Sequence, residues 1–497
     1  MLMHYLVIPS GEDVCLMGVG CNRNATGGCS DAVGNNTTAS GFAAHAEGFQ
    51  TLSSGVAAHA EGNTTRATNS ADHAEGGNTI ASGGASHAEG SLTAAQGFGS
   101  HAEGIQTIAQ GNLSHAEGGQ TLASGVSSHA EGNLTIATGF ASHAEGEFAI
   151  INGVNVYTIA FGEASHAEGQ ATNALGEASH AEGFQTTAGT TTSGLGAHSE
   201  GYLTFATGEQ SHAEGLRTRA SAIGSHSEGG DSTASGNNAH AEGSGTIASG
   251  SAAHAEGFQT MANGVASHSE GVRTSTAGFT AAHIMGQFGS ANEATSWFLV
   301  NGTIRAKISG NTGIGTFTGG TNTGPADYAE LFESLDGKPI EPGYLITLDG
   351  DKVRKATSAD SYYLGVTSVR PGVLGNSADF EWQGKYLKDE WGRVIAVPAK
   401  GTDPRQYANP EALLAGEYDM LLNPEYDPEL PYKPRVEREE WVAVGLLGQL
   451  LVRDDGTCQV NGYCTAGDEG IATAAANGAG YRVMKRTGER QILVMVK

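Results

Sequence analysis

A histidine followed two residues later by a glutamate recurs sixteen times in this chain, from His45–Glu47 to His268–Glu270. Imidazole and carboxylate at that spacing are the parts of a general acid–base pair, and imidazole is also a common metal ligand. Catalysis needs one preorganised site. Sixteen equal copies instead predict an architecture, in which imidazoles and carboxylates satisfy one another's hydrogen bonding. His87, Glu89, His101, Glu103, His115 and Glu117 represent this ladder. No cofactor is expected, apart from an axial metal ion held by symmetry-related histidines of the column.

The elements that carry these pairs follow from their period. Histidines fall at 45, 59, 73, 87, 101, 115, 129 and 143, each fourteen apart. After nine extra residues they resume at 166 and 180, and after four more at 198, then every fourteen to 268. The unit reads S-H-A-E-G-x-x-T-x-A-x-G-x-A, too short for two helices and dominated by small residues. It predicts one coil of a parallel β-solenoid with two short strands, each ended by glycine at a tight bend. Alternation turns Ser and Ala inward, where nothing larger fits, and His and Glu outward. Residues just after the repeat drift freely (Phe49-Gln50, Asn63-Thr64, Ser91-Leu92), but the outward columns do not. At its two ends the glutamate column takes Val33 and Met285. A column that accepts such residues is covered, which predicts a homotrimer with His and Glu along its axis. A threonine column (Thr51, Thr65, Thr79, Thr93) admits an ice-binding face, although threonine also simply suits strands. The insertions at Glu147–Ser165 and Thr186–Ala197 must leave the stack as loops, and the first is the better candidate for lateral recognition.

The repeat is similar in pattern to the S-V-A-I-G units of YadA-type trimeric autotransporter adhesin heads, over about residues 16–286. That resemblance implies a left-handed parallel β-roll packed three around an axis, roughly 90 Å long at the spacing of stacked strands. The pattern departs from those heads where Val and Ile become His and Glu.

Composition divides the chain. No lysine precedes Lys307, and of twelve prolines only Pro9 precedes Pro325. The first 300 residues set 26 acidic side chains against five arginines, a net of −21 out of −27. Without a basic stripe a nucleic-acid partner is not expected. No apolar run approaches the ~18 residues of a membrane span, and the opening residues lack the features of a secretory signal. Five cysteines do not make a disulfide framework, so free thiols are expected, with Cys458 and Cys464 able to pair.

Beyond residue 320 the stretches "ADYAELFE" (326–333), "GYLITLDGDKVRKA" (343–356), "LGVTSVRPGVLGNSADFEWQGKYLKDEWGRVI" (364–395) and "VAVGLLGQLLVRDDGTCQVNGYC" (442–464) occur in order. They resemble the autoproteolytic intramolecular-chaperone domain that ends phage neck-appendage and tail-spike proteins. The resemblance implies a domain that trimerises, templates the fibre and cuts itself off, a single-turnover peptidase with no external substrate. Its hydroxyl nucleophile lies just upstream of the aspartate, here Asp327, which makes Thr323 the nucleophile and Asn322 the scissile carbonyl. Glu330 and Glu333 are further candidates, or ordinary carboxylates on a helix surface.

The expected organisation is an attachment segment (1–15), a mainly β solenoid shaft (16–286), a neck (287–322) and a smaller, β-rich α+β domain (323–497). A proline-rich stretch over 398–434 reads as an extended arm. The function that fits is a trimeric phage tail fibre or spike in the virion, made in the host cytoplasm and binding a glycan or protein receptor on a cell surface. The alternatives are a bacterial surface protein with a retained cap, or a polysaccharide-degrading spike.

Overall fold

The computed structural model describes residues 22–377, 384–398, 418–429, 431–476 and 478–497. The expected attachment segment lies outside the described residues. The chain forms two compact units, Met1–Thr318 and Gly319–Lys497.

The first unit is a parallel β-solenoid with the expected period. His87–Ser91 pairs with His73–Gly77 before it and His101–Ala102 after it, His on His and Ala on Ala. The second strand of the same coil, Ala94–Ala95, pairs with Ile80–Ala81 and Ile108–Ala109. Inside, the coil holds only small residues, because two backbones so close leave no room for more. Ala88, Ala95 and Ala102 are fully buried, as are Ser86, Thr93 and Thr107 to within 1%. The threonine column therefore lines the interior, which removes the ice-binding face; Thr107 Oγ1, for instance, donates to the Glu103 carbonyl at 3.0 Å.

Glycine enforces the coil in two ways. Gly104 has φ +104°, and a Cβ there would lie 2.2 Å from the Gly118 carbonyl oxygen of the next coil. Gly97 has an ordinary φ, but a Cβ would sit 1.9 Å from the Gly111 carbonyl.

Both insertions leave the register intact, with His143 paired to His166 and His180 to His198. The first is a small antiparallel hairpin, Ala149–Ile151 with Val154–Val156, turning at Gly153. The second closes on itself through Thr190 and Ser193.

The neck continues the stack and then ends it. His268–Ser275, His283–Ser290 and Ser296–Asn301 lie parallel, and Thr303–Ser309 and Gly315–Phe317 then return antiparallel. Here larger residues enter the interior, with Ile284, Phe298 and Val300 forming a core.

The second unit is built around one long strand, Trp441–Arg453. It pairs with Asp327–Glu333, Gly365–Thr367 and Gln491–Val496, all antiparallel. Leu345, Val366, Val452, Val483, Ile492 and Val494 fill its core. The unit is β-rich as expected, but its described residues contain no α-helix, only 3-10 turns at Arg435–Glu437 and Asp468–Gly470. Of the proline-rich stretch, Ala396–Pro398 pairs with Tyr418–Met420 and the residues between lie outside the description. Among the described residues no helix is long and apolar enough to cross a membrane.

Candidate self-cleavage site and the His–Glu face

Asp327 opens the strand Asp327–Glu333, in which Asp327, Ala329 and Leu331 point inward and Tyr328 outward. An aspartate on the buried face of a strand needs hydrogen-bond partners for its oxygens. Ser368 supplies one, its Oγ donating to Asp327 Oδ2 at 2.7 Å, and the Gly372 amide approaches Oδ1 at 3.3 Å. The same amide donates to the Asp327 carbonyl at 2.9 Å, which ties the segment after Gly365–Thr367 to the start of the aspartate strand.

Thr323 lies four residues before, exposed, its Oγ1 donating to the Pro325 carbonyl at 2.9 Å. Gly372 fits against this turn. A Cβ built on it would stand 2.5 Å from the Pro325 carbonyl, 2.8 Å from Thr323 Oγ1 and 3.2 Å from the Asp327 carbonyl. The expected nucleophile and the expected aspartate are thus gathered around a single glycine, with Asn322 exposed beside them. A cavity of about 700 Å³ opens next to them, lined by Pro325, Asp327, Glu341, Ser368, Arg370 and Arg453 among others.

Glu330 and Glu333 are engaged elsewhere. The Tyr328 hydroxyl donates to Glu330, and Lys352 pairs with Glu333 at 2.6 Å. Both sit on a strand, not on the surface of a helix. Sequence reasoning passed over Ser368 and Gly372, although both stand in the "VTSVRPG" stretch that carries part of the resemblance. Cys458 and Cys464 are buried free thiols, which burial pushes up to about 11 and about 12.

The ladder occupies one outward face of the solenoid. Successive imidazoles from His59 to His268 stack within a few degrees of parallel, with ring centroids 4.7 Å apart along His73, His87, His101 and His115. Each imidazole points Nε2 at the glutamate column, at 3.7 Å for His87–Glu89 and His101–Glu103, and at 3.1 Å from His129 to Glu117. His101 and Glu103 keep 35% and 32% of their side-chain surface exposed, so in one chain the face is only partly covered. The Nε2 atoms of His87, His101 and His115 are shut off from solvent without a hydrogen-bond partner. Burial, and then the stacked neighbour, push His101 and His115 below the ordinary imidazole value, while the adjacent glutamates push back.

Each His–Glu–His set offers three ligand atoms within 4.8 Å of one another. Two ligand nitrogens on one zinc ion lie at most about 4.2 Å apart, less than the 4.7 Å stacking of the rings. Two stacked imidazoles of one chain therefore cannot both ligate a single ion as they stand. An ion on this face would take one imidazole per chain, with a glutamate of the neighbouring coil as near as the 3.1 Å from His129 to Glu117.

Residues 267–491 match the family model Peptidase_G2, the IMC autoproteolytic cleavage domain. The resemblance read from the C-terminal stretches holds. The match begins in the last coils of the solenoid, well before residue 320. Among curated proteins the chain is similar to the preneck appendage protein of Bacillus phage PZA, 40% identical over 188 residues, covering 37% of this chain and 19% of that protein. The pre-neck appendage protein of Bacillus phage phi29 is 38% identical over 204 residues, covering 38% of this chain and 22% of its own length. The chain thus spans about a fifth of the length of the curated relatives it matches. Among solved structures, the C-terminal fragment of phi29 gene product 12 is 37% identical, with 34% of this chain and 100% of that one covered at a TM-score of 0.28. The pre-mature form of gene product 12 is 20% identical, with 93% of this chain and 55% of that one covered at a TM-score of 0.41.

Proposed function

We propose that this chain is the shaft and assembly domain of a trimeric phage-appendage fibre, carried on the virion and used to attach to a receptor on the cell surface. The observation that supports it best is the gathering of Thr323, Asp327, Ser368 and Gly372 inside a region matched to an autoproteolytic family. The C-terminal unit acts as an intramolecular chaperone. It brings three chains together, so that the partly covered His–Glu faces meet on the axis, and then it is released.

The cut is an N→O acyl shift. Thr323 Oγ attacks the Asn322 carbonyl carbon as its proton passes to the Asp327 carboxylate, and the Thr323 nitrogen leaves after taking a proton. Water then hydrolyses the Asn322 ester, leaving a carboxylate on Asn322 and a free amino terminus on Thr323. In one chain the Thr323 hydroxyl is turned to the Pro325 carbonyl, so attack waits for a rearrangement of the turn, which assembly supplies. Cutting follows trimerisation.

Intact-mass analysis over days after purification tests the reading. Fragments 1–322 and 323–497 are expected from the parent chain, and full-length trimers from Thr323→Ala and Asp327→Ala. Cutting that persists unchanged in Thr323→Ala removes Thr323 from the mechanism. A folded monomer at all concentrations removes the trimer.

A further inference from the structure

The ladder columns do not stop at the last histidine. In the strand Ser296–Asn301, Ser296, Phe298 and Val300 face inward while Trp297, Leu299 and Asn301 face out. Its register with the previous coil sets Trp297 directly after His283 in the histidine column, and Leu299 directly after Met285 in the glutamate column. The returning strand adds Ile308 beside Trp297, and Phe317 lies one strand further on, opposite Ala306. Met285, Trp297, Leu299, Ile308 and Phe317 are between 41% and 63% exposed. Together with His283 they line a shallow cavity of about 110 Å³.

These residues are not a misplaced core, because Ile284, Phe298 and Val300 already fill the opposite side of the same strands. A cluster of large apolar side chains left in water is a cost that a partner removes.

We infer that this patch is a clamp between three copies of the chain, which fixes their register and holds the shaft together once the C-terminal unit has been cut away. The inference rests on the trimeric reading above. The occupant follows from the columns. Whatever covers the His–Glu face also covers its continuation, and under rotational symmetry each copy brings the same row to the same place. Charge does not oppose a like partner, since Lys307, which also lines the cavity, is already paired with Glu293 at 2.6 Å. The clamp also supplies what the ladder lacks. Sixteen equal His–Glu steps pair as well after a slip of fourteen residues as before it, whereas the row Met285–Trp297–Leu299 has no second copy along the shaft. Only one register joins three of them.

The test uses the full-length protein with Trp297→Ser and Ile308→Ser together, and a specific protease site placed at Gly319–Gly320 so that release does not depend on self-cleavage. Sedimentation before and after cutting reads the assembly. The parent shaft is expected to remain trimeric after cutting at nanomolar concentration. The double variant is expected to be trimeric before cutting and to fall apart after it, at concentrations at least a hundredfold higher than the parent tolerates. Far-ultraviolet circular dichroism of the uncut variant guards against misfolding, and Leu299→Cys gives a second reading. Oxidation should link Leu299→Cys chains in pairs within the trimer, while Phe42→Cys, an exposed site outside the columns, should stay unlinked. A cut variant as stable as the parent, or no linkage through position 299, overturns the clamp. A parent that is monomeric before any cut overturns the trimeric reading itself.

Discussion

Ser368 and Gly372 hold Asp327 and the Thr323 turn in one place, and each does so through a contact whose loss can be measured. A hydrogen bond to a charged group contributes about 1.5–3 kcal/mol, which corresponds to roughly a 10- to 100-fold change in rate if it acts in the transition state. Ser368→Ala is therefore expected to slow the release of 323–497 by about that factor, with Ser368→Thr restoring most of it because the hydroxyl returns. The melting temperature of the C-terminal unit, followed alongside, separates this from a general loss of fold. Gly372→Ala should stop cutting by another route, since its Cβ would lie 2.5 Å from the Pro325 carbonyl and push away the turn that carries Thr323. An unchanged time course in both variants would show that the cluster plays no part in cleavage. That Asp327 and Thr323 lie near one another follows from one short stretch of sequence, and the resemblance carried by that stretch is what singles them out. Ser368 and Gly372 were not legible, because they stand 41 and 45 residues away, and only the pairing of strands brings them to the aspartate.

In the coil, glycine and alanine do different work at positions that look alike in sequence. The glycine after each glutamate adopts a φ of about +100°, as Gly90, Gly104 and Gly118 show. A side chain there is strained by about 1–3 kcal/mol before any clash is considered, and at Gly104 the added Cβ also meets the next coil's carbonyl at 2.2 Å. Gly104→Ala is thus expected to destabilise the shaft by at least that amount in urea unfolding. Gly97→Ala should cost less although its Cβ would meet the Gly111 carbonyl at 1.9 Å, because its φ is ordinary and the coils that carry Asn69 and Ala222 at the equivalent position accommodate a Cβ there. Equal losses at the two sites would contradict this assignment. Period, strand positions and the inward alanines were legible from spacing alone. The bends were legible only in part, because each coil also turns through a left-handed residue that is not glycine, such as Leu92, Gln106 or Gln120 (φ 60°, 59° and 56°). Nothing in the identity of those residues announces that conformation. The place of the threonines was undecided for a related reason: threonine suits a strand on either face, and only the narrowness of the coil puts it inside.

For the whole molecule, the ladder sets how assembly answers to pH. Burial is the main cause that lowers His59, His101, His115, His143, His180, His212 and His268 below the ordinary value of 6.5, and a stacked imidazole is the next. His101 shows the balance, with His115 opposing its charge and Glu89 and Glu103 favouring it. A histidine whose folded value is depressed takes up its proton more readily when unfolded. Its contribution is complete above pH 6.5 and is lost as pH falls from there through the folded value. The carboxylates do not reverse this, since their shifts differ in sign: Glu145 and Glu182 are raised, and Glu131 is lowered. Acid weakening is therefore expected to begin in the range where imidazole titrates, well before glutamate does, as imidazolium rings crowd one another at 4.7 Å. In the proposed trimer, stacking these faces around an axis would exclude more water and deepen the effect. Urea unfolding of the shaft at a series of pH values checks it: the midpoint should be level from pH 8 to about 7 and fall steadily below about 6.5. Raised salt should soften that fall by screening the like charges. A midpoint that rises as pH falls would mean that the histidines are already charged at neutral pH and paired with their glutamates, and one level down to pH 5 would mean that folding does not shift them.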